Sequence, residues 1–248
     1  MKKNILSAII VLLSVNILFA QKYDEIKNAL ILKRIDEAKK MFDRNSANND
    51  FFAKPEGFLL KAAIYINLAI DSNKANEADN NRYEATVAFE EYKEMDSDTK
   101  LIEENQVYKE TPFKLYTAYF NAGVADINNK NYEAAYDKFK TTVVYSDFLI
   151  SKKIMHAQMD TASIYYTGVL AESTKHLDEA IKYYTRLSDA QIKEYQGTTY
   201  ESAYQSLMRY YALKNDKQNF DKYRILGRML YPQSVFFTYK ISDFSAIR

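Results

Sequence analysis

The chain has 248 residues, of which 34 are Lys or Arg, 33 are Asp or Glu, 5 are Gly, 3 are Pro and none is Cys. This charge balance leaves no basic stripe for nucleic acid, and without Cys there can be no disulfides, thiolate metal sites, cysteine nucleophiles or lipidated-cysteine anchors. A β-sandwich needs turn residues every few positions, so the scarcity of Gly and Pro indicates long helices joined by short polar turns. The composition predicts an all-α fold.

The first twenty residues have the pattern of a secretory signal. Two lysines precede a mostly apolar run over 5–19, and Ala20 provides a small residue before a charged stretch. The run of about fifteen residues is shorter than the ~20 that a spanning helix needs, so a signal peptide over 1–20 is favoured over an uncleaved anchor. Leu18 departs from the small residue expected near the cut. We expect an exported chain, in the periplasm of a Gram-negative bacterium, without an integral membrane segment.

Two weaker helix pairs are predicted in the first part of the mature chain. The first, over 22–50, is indicated by Ala38 followed one helical turn later by Phe42. The second, over 56–95, is indicated by apolar residues at helical spacing on both sides of a polar stretch. We expect that stretch to be an extended loop, because it is longer than an ordinary turn between helices. The helices would cover Gly57–Ile70 and Arg82–Met95, and the loop Asp71–Asn81.

The clearest pattern in the chain is an internal repeat. The segment Tyr119–Val124 aligns with Ile164–Val169, which begins 45 residues later. In each copy a Gly stands twelve residues before an Ala, and an aromatic residue follows that Ala after four more. These residues are Gly123, Ala135 and Phe139 in the first copy and Gly168, Ala180 and Tyr184 in the second.

The residue types of the repeat suit pairs of antiparallel helices. The small residues allow the two helices of a pair to approach closely, and the aromatic residue one turn on fills the wider space beyond that contact. Asn131 and His176 fall at the turns, where a short polar side chain can cap the second helix.

This arrangement resembles the tetratricopeptide repeat (TPR), a 34-residue unit with small residues at its eighth and twentieth positions and an aromatic at its twenty-fourth. The resemblance implies an all-α superhelix over 21–248, a TPR-like solenoid of about five helix hairpins with a C-terminal capping helix. A helical bundle without repeats is the alternative. The clearest units would cover 116–149 and 161–194, and weaker ones 22–50, 56–95 and 201–233.

Local signals predict where several helices begin. Thr111 and Pro112 look like an N-cap and first-turn pair that opens a helix of the first clear unit. The capping-box pattern at Ser188–Gln191 predicts another short helix. In the last unit Gly227 takes the small position of the second helix. The tail Ser234–Ile247 is predicted to be a final helix that covers the last apolar face.

The sequence carries no recognisable catalytic or cofactor motif. Each of the two histidines, His156 and His176, fits a surface or partly packed residue better than a metal ligand or a base. There is no metalloprotease helix, phosphate-binding glycine loop or nucleophile elbow. The adjacent pair Glu90–Glu91 would point about 100° apart on a helix, so it does not converge on one substrate. We predict no enzyme activity, no cofactor and no metal site.

Tyrosine is unusually common, with 22 residues. Many fall at core spacing, where the ring packs and the hydroxyl reaches the surface; alternatively, some line the groove of a superhelix. The TPR resemblance implies that ligand contacts come from the first helix of each unit, at its fifth and ninth positions. These candidate groove residues are Phe120, Val124, Tyr165, Val169, Gln205 and Arg209.

These observations favour a binding protein. The leading hypothesis is an exported TPR protein that acts as a protein- or peptide-binding adaptor or scaffold in the bacterial cell envelope. Association with a membrane complex is part of this hypothesis, and the sequence does not identify the partner. The alternative is an accessory protein for glycan or nutrient capture at the outer membrane, where tyrosines would stack on sugar rings. The absence of Trp and of a lipid-anchor Cys disfavours the alternative.

Overall fold

The structure, a computed structural model, describes residues 22–47 and 49–247. The predicted signal peptide lies outside the described residues. The chain divides after Ala118 into two compact units. We describe them separately as unit 1 and unit 2.

Unit 1 consists of helices that pair in chain order. The first two form one hairpin, and the third and fourth form another with the most extensive packing of the unit. A sixth helix contributes its first half to unit 1. The helices are α1 (22–31), α2 (Ile35–Ser46), α3 (Pro55–Ala69), α4 (Ala78–Met95), the single turn α5 (Leu101–Glu104) and α6 (Gln106–Asn128), with 3-10 helices over Asn49–Phe52 and Ser72–Glu77.

Unit 2 begins with the second half of α6, and each of its helices packs on the next. Its helices are α7 (Tyr132–Ser151), α8 (Thr161–Ser173), α9 (Leu177–Asp189), α10 (Glu201–Leu213) and α11 (Lys217–Leu230), with 3-10 helices over Val235–Thr238 and Ile241–Ile247 and two short strands, β1 (Glu194–Tyr195) and β2 (Thr198–Thr199). Contacts that run mainly between helices adjacent in the chain are typical of a solenoid. The predicted fold class is therefore confirmed: an all-α stack of helix hairpins.

Four of the hairpins close through the same turn. The residue that precedes the N-cap of the second helix has a positive φ, and the N–H of that N-cap residue donates to a carbonyl five residues back, which is the Schellman arrangement. In the α8–α9 turn, for example, Lys175 has φ of 67° and the His176 N–H donates to the Ala171 carbonyl at 2.7 Å. The corresponding left-handed residues of the other three turns are Lys33, Lys130 and Asn215.

The side-chain caps that the sequence predicted at two of these turns are not formed. Asn131 and His176 stand at the N-cap positions of α7 and α9, but neither side chain accepts a capping hydrogen bond. In the α10–α11 turn, Asp216 does cap its helix, because its Oδ1 accepts the Asn219 N–H at 3.1 Å.

Two predicted boundaries in unit 1 are wrong. The polar segment Asp71–Asn81 is not an extended loop, since a 3-10 helix occupies Ser72–Glu77 and α4 begins at Ala78. Thr111 does not cap α6; the Asn105 Oδ1 does so six residues earlier, by accepting the Tyr108 N–H at 3.1 Å. Pro112 therefore lies inside the helix.

Two predictions in unit 2 are also corrected. The segment Ser188–Gln191 does not open a helix, because Gln191 takes a φ of 53° and closes α9 with a Schellman turn. The chain then forms the β1–β2 hairpin. The tail covers the last hairpin as expected, through the buried Phe237 and Phe244, but it does so in 3-10 helices instead of an α-helix.

Three glycines in unit 2 lie directly beneath aromatic rings. A Cβ added at Gly123 would lie 2.7 Å from the Phe139 ring, and one at Gly168 would lie 2.8 Å from Cδ1 of Tyr184. The ring thus occupies the place of the missing side chain, instead of the space beyond the helix contact. A Cβ at Gly227 would similarly overlap the Phe237 ring. The other repeat residues are all buried: the alanines Ala135 and Ala180 and the aromatic residues Phe139 and Tyr184.

In unit 1, Gly57 lies against the main chain of another residue instead of against a ring. A Cβ at Gly57 would overlap the carbonyl oxygen of Phe51 and lie 3.2 Å from its carbon. Phe51 is fully buried, and the Tyr23 hydroxyl donates to its carbonyl at 2.7 Å. The surrounding core is a cluster of edge-packed rings from Tyr23, Phe42, Phe51, Phe52, Phe58 and Tyr65.

Candidate functional site

The six predicted groove residues lie on three helices of unit 2, but they do not form one site. Phe120 and Tyr165 line the same cleft, which we call the aromatic cleft. Arg209 lines a second cleft. Neither cleft is lined by the other three predicted residues, Val124, Val169 and Gln205. The two valines are each 36% exposed, and the Gln205 side chain donates a hydrogen bond of 2.7 Å to Glu201.

The aromatic cleft has a volume of about 220 Å³. It lies between α6, α8 and the β1–β2 hairpin, and five of its residues are aromatic. The lining residues are Phe120, Ala162, Tyr165, Tyr166, Tyr195, Gln196, Thr198 and Tyr200.

The inner rings of the aromatic cleft are fixed by the core. Phe120 packs edge-on against Phe139, with ring centroids 5.3 Å apart. Tyr165 lies 4.6 Å from the ring of Tyr200 and shares a hydrogen bond of 2.8 Å with Ser202. Burial raises the pKa of Tyr200. These rings form the inner wall of the cleft, and each is held by a ring contact to a neighbour.

The outer rings of the aromatic cleft are available to a ligand. Tyr166 is 40% exposed and Tyr195 is 48% exposed. Tyr166 is positioned by Phe139, whose ring centroid is 5.3 Å away. Tyrosine presents a large apolar surface together with a polar hydroxyl, which makes it effective at binding interfaces.

The β1–β2 hairpin places Tyr195 and Thr198 at the cleft. Gln196 and Gly197 form its two-residue turn, with φ of 48° and 79°. Positive φ at both central residues defines the type I′ turn that suits short hairpins. The hairpin is anchored at its base, since the Tyr200 N–H donates to the Lys193 carbonyl at 3.0 Å.

The second cleft, near Arg209, has a volume of about 140 Å³. Its carboxylate, Glu172, accepts hydrogen bonds from the Tyr184 hydroxyl at 2.9 Å and from the Ser206 hydroxyl at 2.9 and 3.0 Å. Burial and the charge of Glu172 raise the pKa of Tyr184. The Arg209 guanidinium lies over the Phe236 ring, 5.6 Å from its centroid. These contacts tie Glu172 into the packing of three helices.

The histidines do not converge on a metal or catalytic site. His156 lies in the α7–α8 connection, and the His176 ring packs against Tyr136 with centroids 4.9 Å apart. Within residues 22–47 and 49–247 there is no group of three or more His, Asp or Glu side chains placed to hold a metal. The same residues include no helix long and apolar enough to cross a membrane.

The comparisons with known proteins are distant. No family model matches the chain, and no curated protein matches it. Among solved structures, one described as a functional characterization of Pseudomonas aeruginosa PilF is 10% identical, with a TM-score of 0.36, and the match covers 93% of this chain and 97% of that one. The APC/C Cut9–Hcn1 hetero-tetramer is 13% identical, with a TM-score of 0.35, over 89% of this chain and 41% of that one. Similarities this distant carry no information about partners.

Six of the eight residues that line the aromatic cleft were not predicted from the sequence. Tyr166 follows a predicted groove residue directly, but a spacing rule for one helix face excludes it. Tyr195 and Thr198 lie on a hairpin where a helix was predicted. The signal that could have found the hairpin is Gly197, flanked by Tyr and Thr residues that favour strands.

Proposed function

We propose that this chain is a non-catalytic adaptor or scaffold that binds a protein or peptide, exported to the bacterial cell envelope. The observation that carries the proposal is the aromatic cleft, in which Tyr166 and Tyr195 are half-exposed above a wall of fixed rings. The exported location rests on the signal pattern over 1–20.

The lining of the aromatic cleft supports binding over catalysis. Its side chains outside the aromatic set are Ala162, Gln196 and Thr198. None of these is a general acid or base at neutral pH, and catalysis of that kind needs a group that titrates near the working pH. Ring faces with hydroxyl and amide groups at the edge suit an apolar or aromatic side chain of a peptide, with hydrogen bonds to its main chain.

The test is selection of binding peptides from a random linear library, followed by fluorescence anisotropy with variants. Tyr166→Ala and Tyr195→Ala should each weaken binding of the selected peptides about tenfold, which is the effect of losing an aromatic contact of about 1.4 kcal/mol. Tyr132→Ala is the matched control, because Tyr132 is a 45% exposed tyrosine on α7 that lines neither described cleft of unit 2.

Equal binding by all three variants would refute the assignment of the aromatic cleft. Circular dichroism of each variant checks that the helices are intact. Phe120 and Tyr165 are unsuitable for this test, since both are less exposed than Tyr166 and their loss would disturb the fold.

Glycan capture is the second candidate, and the exposed rings of Tyr166 and Tyr195 are the observation that favours it. Flat aromatic faces can stack on sugar rings. Calorimetry with a panel of oligosaccharides distinguishes the two functions: saccharide binding that is lost in Tyr166→Ala, together with failure of the peptide selection, would replace the peptide proposal.

A further inference from the structure

Unit 1 contains a larger cleft that the proposed function does not use. Its volume is about 600 Å³, within the range of ligand-binding pockets. It lies between the α1–α2 turn, the end of α3 and the first half of α6. We call it the unit 1 cleft. Its lining residues are Leu30, Ile31, Lys33, Ile35, Asn67, Ile70, Gln106, Val107, Glu110 and Lys114.

One wall of the unit 1 cleft and its rim are aliphatic. Ile31 is 58% exposed and Ile70 is 50% exposed, and Leu32, next to Ile31, is 60% exposed. Contiguous exposed aliphatic side chains around a concavity are typical of interaction sites. A small molecule inside the cleft would leave this rim in water, whereas a protein segment lying across the cleft would cover it.

The opposite wall is a polar stripe along α6. Gln106, Glu110 and Lys114 follow one another at intervals of four residues and therefore share one helix face. The Gln106 side chain donates to Glu110 at 2.8 Å, and the Lys114 ammonium lies 2.9 Å from the other Glu110 oxygen. Lys114 also donates to Asn67 Oδ1 at 3.1 Å. The charges of Glu110 and Lys114 thus neutralise each other.

Lys33 is the remaining charge of the unit 1 cleft. It is exposed at the left-handed position of the α1–α2 turn, with φ of 56°. Its ammonium makes no hydrogen bond or ion pair with any described residue. The pKa of Glu110 is lowered mainly by the hydrogen bond from Lys114, and the charge of Lys33 adds a smaller contribution. The cleft therefore offers one uncompensated positive charge beside an aliphatic rim.

We propose that the unit 1 cleft is a docking site for an amphipathic helix of a partner protein that carries an acidic residue opposite Lys33. A segment between an aliphatic wall and a polar wall needs one apolar and one polar face, which an amphipathic helix provides. The uncompensated Lys33 selects an acidic polar face over a basic one. This site is independent of the aromatic cleft, so the chain would hold two partners or two parts of one partner.

The test uses two synthetic helical peptides as probes. Both have the same leucine face; the polar face of one is rich in Glu and that of the other is rich in Lys. In fluorescence anisotropy at low ionic strength, the full chain should bind the acidic peptide about fivefold more tightly than the basic one. Lys33→Asp should reverse this preference. Asp tolerates the left-handed backbone of this turn, so the variant should fold.

Lys130→Asp is the matched control, since Lys130 occupies the equivalent turn of unit 2 with φ of 62°. It should leave the peptide preference unchanged. Equal binding of the two peptides by the unmodified chain, or an equal effect of Lys33→Asp and Lys130→Asp, would overturn the proposal.

Two further measurements define the occupant. The double variant Ile31→Ser, Ile70→Ser changes only exposed rim residues and should weaken the binding of both peptides about tenfold. Unchanged binding would show that the peptides dock elsewhere. An acidic peptide with a central proline, which cannot form the helix, should lose binding, and retained affinity would contradict a helical partner. Tyr166→Ala should leave all of these affinities unchanged, so failure of the aromatic cleft and failure of the unit 1 cleft are distinguishable.

Discussion

Unit 1 and unit 2 are built from the same helix hairpins, but their closest helix approaches are made in different ways. In unit 2, Gly123 and Gly168 make room for the rings of Phe139 and Tyr184. In unit 1, Gly57 makes room for the main chain at Phe51. A side chain can shift or be replaced, whereas a carbonyl fixed by its own hydrogen bond cannot. The comparison indicates that the two units tolerate substitution differently although their architecture is shared.

The difference also explains why only unit 2 shows a repeat in its sequence. A glycine that faces a ring requires a particular aromatic residue at a fixed distance along the chain, so both residues recur together. A glycine that faces a carbonyl requires no particular side chain at the other position. Unit 1 therefore has the helix-hairpin architecture with only part of the sequence signature, the spacing of Ala38 and Phe42.

The largest effect should come from Gly57→Ala. The new methyl group would overlap the Phe51 carbonyl, which also accepts the Tyr23 hydroxyl. We expect a loss of about 3 kcal/mol or more in the free energy of unfolding, at the upper end of overpacking effects, measured by urea denaturation. Because the contact is with main chain, Phe51→Leu should not restore stability. A loss below about 1 kcal/mol would remove the contrast between the units.

Gly168→Ala should have a smaller effect, of about 2 kcal/mol, because the Tyr184 ring can partly give way. A second substitution, Tyr184→Leu, removes the ring atoms that the new methyl group meets. The double variant should therefore be more stable than the sum of the two single effects implies. Strictly additive free energies of unfolding would show that the glycine and the ring are not coupled.

The tyrosines should make stability fall at alkaline pH in both units. Burial and the charges of Glu56 and Glu172 raise the pKa of Tyr108 in unit 1 and of Tyr184 in unit 2. In the unfolded chain a tyrosine ionises near pH 10, so the stability contribution is complete below that pH and is lost as the pH rises above it. The expected slope is about −1.4 kcal/mol per pH unit for each such tyrosine.

This pH dependence is measured by urea denaturation between about pH 9 and pH 11. Each of the variants Tyr108→Phe and Tyr184→Phe removes one of these ionising hydroxyls. The fall in stability with pH should therefore become shallower by about 1.4 kcal/mol per pH unit. The unmodified chain, measured over the same pH range, gives the reference slope. Slopes that are the same in all variants would contradict the burial of these hydroxyls.

The smallest effect should be a gain in stability at the Schellman turns, which the two units share. Lys33 and Lys175 have φ of 56° and 67°, a conformation that costs a residue with a Cβ about 1–2 kcal/mol. Glycine removes this cost but raises the entropy of the unfolded chain. Lys33→Gly and Lys175→Gly should each stabilise the protein by about 0.5 kcal/mol. Lys214, with φ of −79°, is the control, and Lys214→Gly should destabilise it.

The sequence predicted the all-α class and the helix pairs because apolar periodicity and the scarcity of Gly and Pro are local properties. It failed where the deciding interaction is a backbone conformation. Left-handed backbone at a helix end is usually predicted at Gly or Asn. In this chain it occurs at Lys33, Lys130, Lys175 and Gln191. The sequence therefore did not predict the Schellman turns or the end of α9.

The candidate site was predictable only in part for a related reason. Phe120 and Tyr165 were identified because the TPR resemblance implies ligand contacts at the fifth position of each first helix, and the structure places them in one cleft. Tyr195 reaches that cleft from a hairpin inserted between two repeats, and the spacing within a repeat carries no information about an insertion. Arg209 lines a separate cleft, which depends on how α9 and α10 pack.

The most direct test of the binding proposal is an NMR titration of ring-labelled tyrosines with a selected peptide, assigned through single Tyr→Phe variants. Resonances of Tyr165, Tyr166, Tyr195 and Tyr200 should shift together and saturate at one affinity, while those of Tyr23, Tyr92 and Tyr108 in unit 1 stay in place. Saturable shifts of the unit 1 tyrosines, with the four cleft tyrosines unmoved, would contradict the account.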